Sequence, residues 1–233
     1  MIADPKNIAV TGASGAIGGA LTKVLSNKYP NAHLSAFSRS KGHGIDYTDE
    51  DSIAEAADLA SKNGLLDIVI IANGILHEHD IMPEKALKDL SLEKFHRVFQ
   101  VNTVIPALIA KHFLPKLNNN LPSRFAVLSA RVGSISDNQL GGWYAYRASK
   151  AALNMIIKNA AIEIGRRNKQ AIIVGLHPGT VDSKLSKPFQ SNVPDGKLFT
   201  PIDSANKLLG TLETLTPSQS GRCFAWDGAE VFP

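Results

Sequence analysis

Short apolar runs alternate with helix-like segments along the whole chain. The runs predict strands at residues 7–10, 33–37, 65–72, 125–129, 171–176 and 222–226. The segments between them predict helices at 16–28, 51–62, 91–117, 144–167 and 201–212, the third interrupted at Pro106. Strand–helix alternation over the full length predicts one α/β domain, 1–233. Its expected architecture is a Rossmann-type, doubly wound parallel sheet with helices on both faces.

Composition narrows the class of protein without naming it. The 233 residues are 44% hydrophobic and 20% charged, which fits a folded domain and argues against disorder. The net charge of +4 comes from scattered positives with no basic block, so nucleic acid is not an expected partner. The single cysteine excludes an internal disulfide framework. No apolar run is long enough for a membrane span or a signal peptide, so we expect a cytoplasmic protein.

A glycine-rich turn follows the first predicted strand and opens the first predicted helix. Ligands of doubly wound sheets bind at the carboxyl ends of the strands, where this turn lies. Glycines allow a tight turn and let backbone N–H groups approach a pyrophosphate at the positive end of the helix. The turn therefore predicts dinucleotide binding, and the alternative is a loop that serves only close packing. The candidate contacts are Gly12, Ser14, Ile17 and Gly18.

The end of the second strand selects between the two common dinucleotides. An acid there bonds the ribose 2′-hydroxyl of NAD, whereas this chain has Ser38-Arg39-Ser40. Arg39 can pair with a 2′-phosphate and Ser38 leaves room for it, so NADP is expected over NAD. The alternatives for Arg39 are stacking on the adenine or a solvated loop position.

Two further loops follow strand ends. Asp46 can accept from the adenine amino group or serve as a turn residue. Asn73 and Gly74 follow the buried run 65–72, where a small residue lets a ribose lie against the backbone. The alternative for this pair is an ordinary Asn-Gly turn.

Tyr146 and Lys150 lie four residues apart on a predicted helix and project from one face. A phenol with its ordinary pKa near 10 is a poor acid or base at neutral pH, and a neighbouring ammonium lowers that pKa. The pair would then provide a general acid for a carbonyl or a base for an alcohol. Taken alone, this spacing is common by chance.

The combination of motifs resembles the short-chain dehydrogenase/reductase family over nearly the whole chain. Residues 141–150 and 226–228 are similar to its C-factor and carbonyl-reductase-like branch. The resemblance implies that Tyr146 is the acid/base, that Lys150 binds the nicotinamide ribose, and that Asn102 holds a water in a proton relay. It also implies that Pro178 and Val181 cover the nicotinamide and that Ser183 contacts the cofactor. The motifs that carry it are Gly12–Gly18, Ala72-Asn73-Gly74, Asn102, Tyr146–Lys150 and Pro178-Gly179.

The chain departs from the family pattern at two positions. Ala16 stands where the family usually has a glycine, and the resulting glycine spacing is shared with the extended branch of the family. Members of that branch need a substrate lobe, for which the short stretch after Pro178 leaves little room. The usual serine at the end of the fifth strand is Ala130, so a weakly catalytic, cofactor-binding signalling protein is the rival interpretation. Ser134 is the candidate that partly substitutes for this serine by bonding the substrate oxygen.

The substrate region is less specified. Residues 183–199 contain Pro188, Pro194 and Gly196 and are expected to form a lid. Trp143 either shapes the pocket with the lid or belongs to the core, and Arg131 and Arg147 either attract an anionic substrate or lie on the surface.

Residues 77–80, His-Glu-His-Asp, are expected to be a solvated polar loop, so no metal is predicted. An apolar stripe on the helix 144–167 and the family resemblance favour a homodimer or homotetramer. The expected ligand is a small-molecule carbonyl compound or alcohol.

Overall fold

A computed structural model describes residues 4–39, 43–78 and 81–233. Its centre is an eight-stranded sheet in the order β10-β9-β6-β5-β4-β1-β2-β3, beside which β7 and β8 form a two-stranded sheet. All pairs are parallel except β10 with β9, so one edge is antiparallel where the sequence predicted a parallel sheet. The strands are β1 Asn7–Thr11, β2 His33–Ser38, β3 His43–Gly44, β4 Ile68–Ile71, β5 Ser123–Leu128, β6 Ala171–His177, β7 Thr180–Val181, β8 Leu198–Phe199, β9 Cys223–Ala225 and β10 Glu230–Val231.

Helices cover both faces of the large sheet, as predicted for a Rossmann-type fold. They are α1 Ala16–Lys28, α2 Glu50–Ala60, α3 Leu92–Phe99, α4 Ile105–Phe113, α5 Tyr144–Arg167 and α6 Pro201–Thr214. Helices α2, α4 and α5 pack with Ala9 on one face, and α1 and α6 pack with Ile8 and Val10 on the other. This division follows from the alternation of side chains along β1. None of the helices among the described residues is long and apolar enough to cross a membrane.

The predicted helix 91–117 is broken earlier than expected. A π-helical turn, Gln100–Val104, separates α3 from α4. Pro106 has no N–H to donate to the carbonyl of Asn102, and its ring crowds that carbonyl. The break therefore falls in the turn before the proline, where it carries Asn102.

Asp67 lies before β4 rather than inside a strand, which shortens the predicted strand 65–72. It is buried, and its carboxylate accepts the N–H groups of Lys6 at 2.7 Å and Asn7 at 3.1 Å. The Asn118 side chain donates to the same carboxylate at 2.8 Å. Asp67 thus ties β1 to β4 at the amino edge of the sheet.

The carboxyl edge of the sheet contains the switch point of the fold. Strands β1 and β4 are neighbours, and the chain runs outward from β1 to β2 and from β4 to β5 in opposite directions. Loops that follow β1 and β4 therefore diverge and leave a crevice between them, which is where such folds bind ligands.

Candidate active site

The glycine turn after β1 packs so closely that a side chain is excluded at Gly12 and at Gly18. Gly12 has φ +71, and a Cβ there would lie 2.8 Å from the carbonyl carbon of Ala72. A Cβ at Gly18 would lie 2.2 Å from the carbonyl oxygen of Gly12. Helix α1 then begins with no side-chain cap and no acid in its first turn, so its first N–H groups remain available to an anion. These features fit a pyrophosphate.

Tyr47 holds this turn in place and was not anticipated from the sequence. Its hydroxyl accepts the Gly12 N–H at 2.9 Å and donates to the Phe37 carbonyl at 3.3 Å. The ring is buried, and burial raises the pKa of the Tyr47 hydroxyl. Gly12 was named as a cofactor contact, but its N–H is bonded to Tyr47. The only sequence signal was one aromatic residue in the polar run 46–52.

The residues expected at the adenosine end lie beside this turn. Ser38 is buried at the end of β2, and Arg39 follows it as an exposed side chain. Ser40 lies outside the described residues. The Asp46 carboxylate accepts the N–H and hydroxyl of Thr48 at 2.8 and 2.7 Å, and these bonds hold its pKa below the usual range. Asp46 thus forms a turn, which was one of its two interpretations.

The structure brings Asn73, Gly74, Asn102 and Lys150 together at the switch point. Asn73 Oδ1 accepts the Thr11 hydroxyl at 2.7 Å. A Cβ at Gly74 would lie 3.4 Å from Asn102 Oδ1 and 3.6 Å from Lys150 Nζ. Residues from three separate segments therefore meet around one small residue.

Asn102 is held by its side-chain amide. Its Oδ1 accepts the Ile75 N–H at 2.8 Å, and its Nδ2 donates to the Ile75 carbonyl at 2.9 Å and to the Ser149 hydroxyl at 3.2 Å. Both amide protons are thus used, and the side chain is fully buried. The amide fixes the loop after β4 against α5.

Tyr146 and Lys150 occupy successive turns at the start of α5. Burial raises the pKa of the Tyr146 hydroxyl to about 12, opposite to the lowering that the sequence argument expected. Burial also lowers the pKa of Lys150 to about 8, and its ammonium donates to the Leu128 carbonyl at 2.9 Å. Desolvation is thus the largest cause of both pKa shifts in the protein alone, and neither shift contains a contribution from the other residue of the pair.

Ser129 and Ala130 follow β5, and Ala130 stands where a serine is usual in the family. Ser129 Oγ bonds the Asn154 side chain of α5 at 2.7 Å, and Ala130 is buried. Ser134 Oγ accepts the Asp137 N–H at 3.1 Å and lies 3.3 Å from Ser136 Oγ. Because Ser136 donates its own proton to a main-chain carbonyl, the Ser134 proton points to Ser136.

Gly133, on the short helical turn after β5, is a further residue whose role emerges only from packing. A Cβ there would lie 2.8 Å from the Cβ of Lys150. This glycine therefore lets the segment after β5 touch α5 directly at Lys150.

The Pro178-Gly179 turn packs against α6 and β8. Ser204 of α6 donates to the Pro178 carbonyl at 2.9 Å, and a Cβ at Gly179 would lie 2.7 Å from the Phe199 ring. Val181 is buried, and its carbonyl accepts the Ser186 hydroxyl, which also lies near Ser183. The turn is thus rigid, and the segment that follows it folds back.

The segment 183–199, which the sequence predicts to be a lid, contacts Trp143 and His77. Phe189 stands with its ring centroid 5.0 Å from Trp143 and 5.9 Å from His77. Trp143 in turn lies edge-on to Tyr146, with centroids 6.2 Å apart. His77 Nε2 also lies 3.1 Å from the Lys184 carbonyl. Trp143 therefore contacts both Phe189 of this segment and Tyr146.

The two arginines expected near the site have other partners. Arg131 pairs with Asp137 at 3.3 Å, and Arg147 donates to the carbonyls of Gly141 and Gly142 at 3.2 and 3.1 Å. In the run 77–80, His79 and Asp80 lie outside the residues that the structure describes. Among all the residues that it does describe, there is no cluster of metal-ligating side chains.

A glycine-rich turn at a Rossmann switch point, combined with a Tyr–Lys pair on a nearby helix, defines a class of oxidoreductases. A family model described as enoyl-(acyl carrier protein) reductase, of the short-chain dehydrogenase type, matches residues 22–215. The chain therefore belongs to the short-chain dehydrogenase/reductase family, and it is an oxidoreductase of that family.

Relatives and solved structures agree with this assignment. The 1-hydroxy-2-glutathionyl-2-methyl-3-butene dehydrogenase of Rhodococcus sp. (strain AD45) is 31% identical over 201 residues, 86% of this chain and 83% of that protein. C-signal of Myxococcus xanthus is 36% identical over 146 residues, 63% of this chain and 82% of that protein. Carbonyl reductase Sniffer of D. melanogaster superposes with a TM-score of 0.83 at 23% identity, covering 98% and 99% of the two chains. NADPH-bound carbonyl reductase from chicken fatty liver gives 0.80 at 24% identity, covering 97% and 93%.

Proposed function

We propose that the chain is an NADP(H)-dependent oxidoreductase that reduces an aldehyde or ketone, or oxidises the matching alcohol. The observation that carries this proposal is the meeting of Gly74, Asn102 and Lys150 at the switch point, with Tyr146 one turn earlier on α5. The Rhodococcus relative is named a dehydrogenase, and the chicken carbonyl reductase contains NADPH, which supports the same chemistry.

The cofactor lies along the carboxyl edge of the sheet in this proposal. The turn Gly12–Gly18, with Ser14 and Ile17, holds the pyrophosphate, and a ribose lies against the backbone at Asn73 and Gly74. Pro178, Val181 and Ser183 cover the nicotinamide. Ser38, Arg39 and Asp46 contact the adenosine end.

NADP is favoured because Arg39 is an exposed cation at the end of β2, where NAD-binding chains place an acid. The test compares the KM values of NADPH and NADH for wild type, Arg39→Ala and the control Arg167→Ala, an exposed arginine at the far end of α5. We expect a loss of NADPH preference in Arg39→Ala alone. A wild-type preference for NADH contradicts the assignment.

Bound NADPH supplies the hydride in the direction of reduction. Tyr146 then donates its proton to the carbonyl oxygen, and its raised pKa keeps the hydroxyl protonated at neutral pH. The ammonium of Lys150, beside Gly74, binds the nicotinamide ribose and stabilises the tyrosinate that forms as Tyr146 gives up its proton. Reduction is therefore the favoured direction near pH 7, and oxidation gains as the pH rises.

Asn102 contributes to proton supply through its backbone. Its amide is occupied by Ile75 and Ser149, and Pro106 has no N–H to donate to its carbonyl. In this proposal the Asn102 carbonyl holds a relay water to Lys150.

Ser134 is the proposed partial substitute for the serine that Ala130 replaces, and it acts when its proton turns from Ser136 to the substrate oxygen. Losing one such donor costs on the order of 10²–10³ in turnover in other enzymes. The test compares kcat of Ser134→Ala with that of the neighbouring Ser136→Ala. Unchanged turnover of Ser134→Ala with every reducible substrate removes this role.

NADPH oxidation with a panel of aldehydes, ketones and quinones tests the whole proposal. We expect turnover in wild type that Tyr146→Phe abolishes while NADPH still binds. The second candidate is a cofactor-binding signalling protein with vestigial activity, favoured by Ala130 and by the similarity to C-signal. NADPH binding with no turnover above the Tyr146→Phe level supports that second function.

The whole chain forms one cofactor-binding domain in this proposal, with residues 183–199 as its substrate lid. Met155 and Ile162 are exposed on α5 and support self-association through this helix. Light scattering of the purified protein is expected to give a dimer or a tetramer, and a monomer at all concentrations contradicts it.

A further inference from the structure

The catalytic helix α5 begins without a cap from its own sequence. Its N-cap residue, Trp143, has φ +51 and makes no side-chain cap bond, and the first turn has no acid. Gly141 and Gly142 also have positive φ values, +64 and +63. Three successive left-handed residues thus lead into the turn that carries Tyr146. A tryptophan holds this conformation only where contacts enforce it.

Glu84, distant in sequence, supplies two of those contacts. Its carbonyl oxygen accepts the Trp143 N–H at 2.6 Å, and its carboxylate Oε2 accepts the Ala145 N–H at 3.2 Å. The residue is 2% exposed. A charged acceptor at a helix N-terminus satisfies a free N–H and complements the helix dipole. The Glu84 side chain therefore performs the part of an N-cap for α5.

The surroundings of Glu84 are fixed in turn. The N–H groups of Lys85 and Ala86 both donate to Asp89 Oδ2, at 3.1 and 3.0 Å. Arg147 donates to the carbonyls of Gly141 and Gly142 in the left-handed turn. The Glu84 carboxylate and the Arg147 guanidinium together thus form a clamp on the start of α5.

We propose that Glu84 is a positioning residue for Tyr146, acting by hydrogen bonding the first turn of α5 and by holding Trp143 in its left-handed conformation. This inference rests on the proposed function, in which Tyr146 is the proton donor. Tyr146 follows Ala145 directly, so a shift of the first turn moves its hydroxyl. Misplacement of a reacting group by about 1 Å costs on the order of 10²-fold in rate.

Two substitutions distinguish the length of the Glu84 side chain from its charge. Glu84→Asp keeps the carboxylate but withdraws it by about one C–C bond, roughly 1.5 Å, which breaks the bond to Ala145. Glu84→Gln keeps the reach and an acceptor oxygen but loses the charge. We expect kcat to fall about 10- to 100-fold in Glu84→Asp with an unchanged Kd for NADPH. Glu84→Gln is expected to keep at least about half of the wild-type kcat, because a neutral acceptor still orients the first turn.

Asp67→Ala is the matched control, because it removes another buried carboxylate that bonds backbone N–H groups, at the opposite edge of the sheet. It is expected to lower Tm and leave kcat within about twofold. Wild-type kcat in Glu84→Asp, or an equal loss in Glu84→Gln, overturns the proposal. An equal loss of kcat in Asp67→Ala also overturns it, because general loosening then explains the effect.

Amide exchange separates this inference from the proposed function. If wild type neither binds NADPH nor turns over any substrate, the proposed function has failed. Exchange at Ala145 still tests the clamp, because Glu84→Asp is expected to speed it at least about tenfold while Glu84→Gln does not. Equal protection in wild type and Glu84→Asp refutes the clamp whatever the activity.

Discussion

Replacing Gly18 with alanine places one methyl group between α1 and the glycine turn. The new Cβ would lie 2.2 Å from the Gly12 carbonyl oxygen, and Cβ atoms are not found within 3.0 Å of such atoms, so the turn must move by at least about 0.8 Å. Overpacking of this kind costs about 1–3 kcal/mol, and the better helix propensity of alanine returns about 1 kcal/mol. The fold is therefore expected to persist with a modest loss of stability.

The Gly18→Ala substitution is expected to weaken dinucleotide binding more than it lowers the free energy of unfolding. A shift of this size removes hydrogen bonds to a phosphate, and each such bond to a charged group contributes about 1.5 kcal/mol or more. Losing two of them raises Kd about 100-fold. The assay is NADPH fluorescence titration, with Tm measured on the same samples to confirm folding.

Gly19→Ala is the control for the Gly18 substitution. It gains the same helix propensity, but its Cβ would lie 3.2 Å from the Ala13 carbonyl oxygen, which small adjustments relieve. We expect its Kd to stay within about threefold of wild type. Wild-type affinity in Gly18→Ala, or equal weakening in the two variants, would refute the steric argument.

Three further predictions use other parts of the structure. Tyr47→Phe leaves the Gly12 N–H without its acceptor and should raise the Kd of NADPH about tenfold. The Kd of adenosine 2′-monophosphate should stay unchanged. An equal rise in both Kd values contradicts a role of Tyr47 that is confined to the turn. Burial lowers the pKa of Lys150 to about 8 from 10.5, so between these pH values the unfolded chain binds more protons than the folded one. Urea unfolding at pH 7.5 and 9.5 should therefore show that wild type gains stability relative to Lys150→Met as the pH rises. A stability difference that does not change with pH refutes this. Gly210→Ala, in open space within α6, should raise the free energy of unfolding by about 0.5–1 kcal/mol, and a lower value contradicts the helix-propensity argument.

Local physical rules made much of the fold readable from the sequence. Side-chain period separates helices from strands, and a parallel strand buried on both faces needs an unbroken apolar run such as Ile68–Ile71. The order of the glycine turn, Asn73-Gly74 and the Tyr146–Lys150 pair also fixes their common edge, because the carboxyl ends of parallel strands share one side of a sheet. The family followed from this order.

Tertiary structure decided which groups are bonded, buried and charged. Tyr47 reaches the Gly12 N–H, and Glu84 reaches Ala145, over distances along the chain that no local pattern encodes. The pKa of Tyr146 rises rather than falls because desolvation depends on the atoms packed around the hydroxyl, and these come from separate segments. The sequence by itself determined the longer strands, most of the helices and the edge of the sheet at which the candidate site lies. Only the packed chain determined how the turn and the catalytic helix are held, because hydrogen-bond partners and burial are properties of three-dimensional proximity.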